Sequence, residues 1–196
     1  MTPLVLDRLS KLDKATLTHG SHKTFKQGAC AMEFAAYLAG EKHSDEPECV
    51  CPVLRVFVIA WNDGLPTDDD RNRLLKPLIP QLLDTRSTPA VEKKRAYLAL
   101  DWLVRVHTPA WLDLCDDLRP HAAALRALDA IQNMATAEAA GTRVLAASAA
   151  ARDAASAAAW DAAMAAARAA LKPTVELLQA SALDLVNRMI AITEAS

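Results

Sequence analysis

Glycine is scarce in this 196-residue chain, and four of its five residues (Gly20, Gly28, Gly40 and Gly64) fall in the first third. Irregular backbone is therefore expected at the front, with Gly141 the lone interruption afterwards. No run of Lys or Arg marks a nucleic-acid face, and 22 basic against 24 acidic residues leave a net charge of only -2. A duplex-DNA face is accordingly not expected. The segment Met1 to Leu12 lacks the basic, apolar, small-residue order of a secretion signal and carries Asp7 inside its apolar stretch, so a cytoplasmic setting is expected. The apolar fraction of 52% is inflated by alanine, and Arg152, Asp153, Asp161 and Arg168 cut the longest Ala-rich run. No bilayer span is expected. Cys30, Cys49, Cys51 and Cys115 read as reduced thiols, because Cys49 and Cys51 lie too close for an easy bridge. A chain of this length hides roughly 70% of its unfolded surface in one core, so neither disulfide nor metal is required to hold it.

The chain's remaining patterns are helical. A first helix is expected from Pro3 to about Leu12, and a second from about Phe25 to a stop at Gly40. Pro52 suits a first helical position, and the almost continuously apolar Val53 to Trp61 predicts a buried helix ended by Gly64-Leu65-Pro66. Thr67 is a natural N-cap, with Asp68, Asp69 and Asp70 favoured by the helix dipole. Pro77 and Pro80 break or kink the segment after it. Thr88-Pro89 opens a core helix through Trp102 that stops at His107, Thr108-Pro109 opens a short one, and Pro120 another.

From Met134 to Leu171 the chain is low-complexity alanine, with an echo between Arg152-Asp153-Ala-Ala and Trp160-Asp161-Ala-Ala. Alanine has the highest helix propensity. Unbroken, this helix would be about 57 Å long at ~1.5 Å per residue, against a globule diameter near ~42 Å, so either Gly141 breaks it or its end projects. Val175, Leu178, Ala182, Leu185, Met189 and Ile192 form a heptad seam, with Leu171 and Met164 in register. The expected fold is all-α: a single-domain irregular helical bundle with a long Ala-rich helix and a C-terminal heptad helix. The expected division is a body over 1–133, with its site in 17–76, and a helical arm over 134–196. The two final helices form either a hairpin turned at Lys172-Pro173 or, through 164–192, an interface with a second copy.

Chemistry-bearing residues crowd the front. His19, Ser21, His22 and Lys23 sit on a Gly/Ser loop before the second helix, where free backbone N–H groups and the helix dipole attract phosphate or carboxylate. The alternative is that Ser21 or Thr24 simply caps the helix. No Walker or dinucleotide fingerprint is present. Glu33 and Tyr37 share one helix face and are placed either to orient a ligand or to anchor the histidine loop. Trp61 and Asn62, with Asp63 beside them and Arg71 nearby, offer a stacking face, an amide, a carboxylate and a cation for a nucleotide, though Trp61 taken alone is more often core, with Asn62 and Asp63 then ordinary helix-end and turn residues. His43, Ser44, Asp45, Cys49 and Cys51, with Cys30, Glu33, His19 and His22, make a zinc set only in principle, since Cys49-Val50-Cys51 is a poor chelate spacing. No metal or other cofactor is expected. Cys30 as a nucleophile would need a base such as His19 or His22 and a positive local field.

The run Leu17 to Thr85, with His19-Gly20-Ser21-His22, Cys30-Ala31-Met32-Glu33, Ala36-Tyr37-Leu38-Ala39-Gly40-Glu41 and Trp61-Asn62-Asp63-Gly64-Leu65-Pro66, resembles a group of small Ala-rich helical proteins of bacteria and their phages. The Ala-rich arm and the stretch from Leu178-Gln179-Ala180-Ser181 to Met189 carry the same resemblance. It implies a bacterial or phage cytoplasmic setting and transfers no catalytic residue, cofactor or substrate. The leading expectation is non-enzymatic binding of a small anionic, nucleotide-like ligand, such as a host signal sequestered by a phage protein. His19, Ser21, His22, Lys23 and Arg71 would hold the anion, Glu33 and Tyr37 the polar body, and Trp61 with Asn62 the base. Helix-mediated oligomerisation is the first alternative, and a hydrolase or transferase using His, Glu and Cys the second.

Overall fold

The structure is a computed structural model that describes residues 3–157 and 164–194. Among these residues there is no strand, so the all-α expectation holds. The helices are α1 (Pro3–Lys14), α2 (Ala31–Ala39), α3 (Pro52–Gly64), α4 (Asp68–Leu75), α5 (Ile79–Leu82), α6 (Pro89–Trp102), α7 (Thr108–Leu112), α8 (Arg119–Arg126), α9 (Met134–Ala157) and α10 (Met164–Ala191). No helix among the described residues is long and apolar enough to cross a membrane. The chain forms two compact units, one of residues 1–95 with 190–196 and the other of 96–189.

In the first unit α2 is the central element, packed against α1, α3 and α5. Seven of its nine residues are buried, including Met32, Phe34, Leu38 and the charged Glu33. It starts six residues later than the sequence suggested. Thr24 to Gln27 close a turn, and Gly28 follows at φ +132, a conformation no helix can include. Cys30 is the N-cap, and Gly40 at φ 83 ends the helix as expected, its N–H bonding Tyr37 O. The expectation that α3 is buried all round is corrected: Leu54, Val58 and Asn62 form one buried stripe, while Val56 is 64% exposed. Thr67 caps α4 as its chemistry demanded, its Oγ1 accepting from Asp70 N at 3.1 Å.

In the second unit the apolar core comprises Val104, Leu112, Leu118, Ala122, Leu125, Ile131, Ala140 and Ala147. The expected stop at His107 does not occur. Leu103–His107 form a π-turn in which Thr108 N bonds Leu103 O, and the chain runs on into α7. The extra residue of a π-turn lets the helix continue into Pro109, which has no N–H to give. Gly141 does not break α9, which runs 24 residues. The expected turn at Lys172-Pro173 is also corrected, because Pro173 lies inside α10. A mid-helix proline costs about 3 kcal/mol, and the surrounding good helix formers and the buried seam from Leu178 onward offset it. Leu178, Ala182, Leu185 and Met189 of that seam are buried within this single chain, and Ser181 accepts a 2.7 Å bond from Trp102 Nε1. The Trp160-Asp161 echo and the junction between α9 and α10 lie outside the described residues.

Candidate functional site

Glu33 organises the front of the first unit. A carboxylate in an apolar helix must be hydrogen-bonded on every side to be tolerated, and Glu33 is only 1% exposed. Its Oε2 accepts from Cys30 N at 2.8 Å, closing the capping box, and meets His22 Nδ1 at 2.9 Å. Its Oε1 accepts from His22 N at 2.5 Å and stands 3.5 Å from His43 Nε2. His43 Nε2 in turn donates to His22 O at 2.8 Å. On its other side, His22 Nε2 meets Thr18 Oγ1 at 3.1 Å. A relay thus runs from the Thr18 hydroxyl through His22 to Glu33. Gly28 stands over it: a Cβ there would lie 2.6 Å from Thr18 Oγ1 and 2.7 Å from His22 Nε2. His43 Nδ1 is buried with no hydrogen-bond partner among the described residues.

A second polar hub closes the end of α3. Asn62, 1% exposed, donates from Nδ2 to Thr18 O and to Asp63 Oδ1, both at 3.1 Å, and its Oδ1 faces Ala31 N at 3.4 Å. Asp63 Oδ1 also accepts from Gly20 N at 2.9 Å. Arg71, 5% exposed, donates to Asn62 O at 2.8 Å, to Leu65 O at 2.5 Å and to Asp68 Oδ1 at 2.7 Å. The first two satisfy backbone carbonyls at the end of α3, and the third pairs the guanidinium with a carboxylate. The histidine loop is therefore stapled twice, by Glu33 through His22 and by Asp63 through Gly20.

Between the staples lies a cavity of about 100 Å³ lined by Gly20, Ser21, Cys30, Ala31, Met32, Asp45, Ile59, Asn62 and Asp63. Its wall is acidic. Burial works to raise the Asp63 carboxyl, but the Gly20 N–H, the Asn62 amide, and the charges of His19 and Arg71 together hold it below the usual carboxylate range. Burial, reinforced by the Glu33 charge, pushes the Cys30 thiol up to about 12, and burial beside Glu41 pushes Cys49 to about 11. Burial thus works against thiolate formation at both cysteines. Among the described residues no group of three or more His, Cys, Asp or Glu is arranged to hold a metal ion.

The structure brings His22, Glu33 and Asn62 together, but as the frame of the site. His19, Ser21 and Lys23 are on the loop that the frame holds, with Ser21 and Lys23 among its more open positions. Tyr37 points elsewhere, packed edge-on to Phe25 at 4.9 Å with Arg8 5.4 Å over its ring. Trp61 is half-buried beside Phe57 and does not line the cavity, and Arg71 is consumed by the end of α3. Thr18 and Gly28 were not among the ligand candidates that the sequence suggested. Asp63 stood there as the carboxylate beside Asn62 but outside the final ligand set, and His43 only as a doubtful metal ligand. Gly28, a glycine two residues ahead of Cys30, was the one usable signal. No family model, no curated protein and no solved structure matches this chain. Residue roles therefore rest on geometry alone.

Proposed function

We propose that the protein is a non-enzymatic binding protein and that the front cavity seats part of a nucleotide-like ligand. The double stapling of the loop supports this, because it fixes one wall of a small polar cavity while leaving His19, Ser21 and Lys23 outside the frame. A preformed wall lowers the ordering cost of binding. Asp45 and Asp63 are acceptors only, so the part of the ligand entering the cavity is a hydrogen-bond donor, such as ribose hydroxyls or an exocyclic amine. The cavity is too small to enclose a whole nucleotide, and its acidic wall repels phosphate. The anionic part therefore lies outside, toward Lys23 and His19, and Arg71 has no share in it. In a phage setting, such a site would serve to sequester a host signalling nucleotide.

A thermal-shift screen against nucleotides, cyclic nucleotides and ADP-ribose derivatives tests the reading, with phosphate, sulfate and zinc as controls. A ligand at ~100 times its Kd adds about 2.7 kcal/mol, or roughly 5–10 °C for a chain of this size. The shift should shrink in Lys23→Ala and vanish in Asp63→Asn. A silent panel sinks the proposal. Hydrolysis is the second reading, favoured by the relay from Thr18 through His22 to Glu33, which has the order of nucleophile, base and orienting carboxylate. Gly28 would have to move aside for a substrate to reach Thr18. Turnover of any hit, lost in Thr18→Val with binding retained, would replace the binding reading with this one.

A further inference from the structure

The second unit contains a separate cavity of about 300 Å³, remote in sequence from the front cluster. Its floor is the buried Val104, Leu125 and Ile131, and its mouth is flanked by Leu100 and Leu103, which are 36% and 46% exposed. Not one charged side chain lines it, and apart from backbone its polar groups are the hydroxyls of Thr108 and Ser148. The Thr108 hydroxyl already donates to Leu103 O at 2.8 Å and so is left as an acceptor.

Two features of the backbone border this space. The first is the π-turn Leu103–His107, which supplies Leu103 and Val104 and leads directly into Thr108. Single π-turns inside α-helices occur frequently at functional sites. The second is Gly141, which faces the cavity from the middle of α9. A Cβ at Gly141 would meet nothing within 4 Å, so no steric conflict demands glycine there. In a helix otherwise rich in alanine, the residue that presents no side chain is the one beside the opening.

We infer that this cavity is a binding site for a small, uncharged, mostly hydrocarbon molecule bearing at most one polar end, of fused-ring or short-alkyl size. The size follows from the volume, about twice the ~150 Å³ of an apolar cavity that takes one benzene ring. The absence of any charge on the lining excludes phosphates, carboxylates and ammonium groups, which would be desolvated without a counter-charge. This ligand is thus chemically distinct from the one assigned to the front cavity.

The test is titration of the purified chain with the uncharged fluorophore N-phenyl-1-naphthylamine. Saturable enhancement with one site per chain is expected. Gly141→Leu and Val144→Phe, which grow into the cavity from adjacent turns of α9, should each weaken binding at least tenfold with an unchanged helical circular-dichroism spectrum. Leu145→Ala, at a position 69% exposed, and Lys23→Ala on the front loop should leave it unchanged. If Gly141→Leu does not fold, Val144→Phe with Gly141→Ala carries the comparison. Absence of saturable binding overturns the site, as does binding that survives both cavity-filling variants.

Discussion

Gly28 and Glu33 show how much one residue decides here. Gly28 combines φ +132 with a space that Thr18 and His22 already fill, so Gly28→Ala meets backbone strain and overpacking together, each worth about 1–3 kcal/mol. Gly64 has ordinary φ and open space around it. Urea midpoints should therefore show Gly28→Ala destabilised by at least about 2 kcal/mol, and Gly64→Ala nearly unchanged. Removing the Glu33 carboxylate leaves His22 N, His22 Nδ1 and Cys30 N without their acceptor. Glu33→Ala should cost about 3 kcal/mol or more, and Glu33→Gln less, since one oxygen remains. Equal losses in the two variants would contradict the assignment of both oxygens to the frame. A charged residue in an apolar helix was visible in the sequence, and so was the choice between ligand contact and loop anchor; the hydrogen bonds decide for the anchor. Thr18 was not legible, because its role depends on a loop folding back across α2 and on no local pattern.

At the scale of elements, starts and stops marked by local chemistry were readable: Pro52 opening α3, Thr67 capping α4, Gly40 ending α2. Those set by longer-range balance were not, as the late start of α2, the π-turn and the passage of α10 through Pro173 show. The π-turn carries a measurable property. Burial holds the His107 imidazole below its ordinary pKa of 6.5, and Trp111 Nε1 donates to its Nε2 at 3.2 Å. That bond requires Nε2 unprotonated. A histidine with a lowered folded-state pKa contributes stability that is complete above pH 6.5 and lost as pH falls through the folded value. Tryptophan fluorescence should therefore titrate below pH 6.5, accompanied by a fall in Tm. His107→Gln should abolish that titration, and a transition unaltered by the substitution would assign it elsewhere.

At the scale of the whole molecule, the burial of the heptad seam bears on assembly. Leu185 is fully buried within the single chain, so Leu185→Asp should lower stability by about 4 kcal/mol or more without altering the oligomeric state measured by light scattering. Dissociation of an assembly by that substitution would show that the seam joins two copies after all. The seam's period was legible in the sequence; which surface it would meet was not, because a heptad repeat reads the same for either. Acid should act on the molecule broadly. Asp63 is held low against its burial by the Gly20 N–H and Asn62, Asp70 by Arg73 and Thr67, and Asp113 by Arg126. Carboxylates with depressed values give stability that is present above their unfolded pKa and lost as pH falls through the folded one. A second loss of Tm is thus expected below about pH 4, separate from that of His107.

Arg95 also ties its unit together across the chain, donating to Thr85 O at 2.5 Å and to Ile192 O at 2.9 Å. Residues 190–196 belong with 1–95, yet a ribosome makes them only after it has made all of 96–189. During synthesis Arg95 must wait, its guanidinium without the Ile192 carbonyl, until the whole intervening unit has been translated. The first unit is thus begun early and finished late, and a translational pause anywhere between the two segments would prolong the life of that unclosed intermediate.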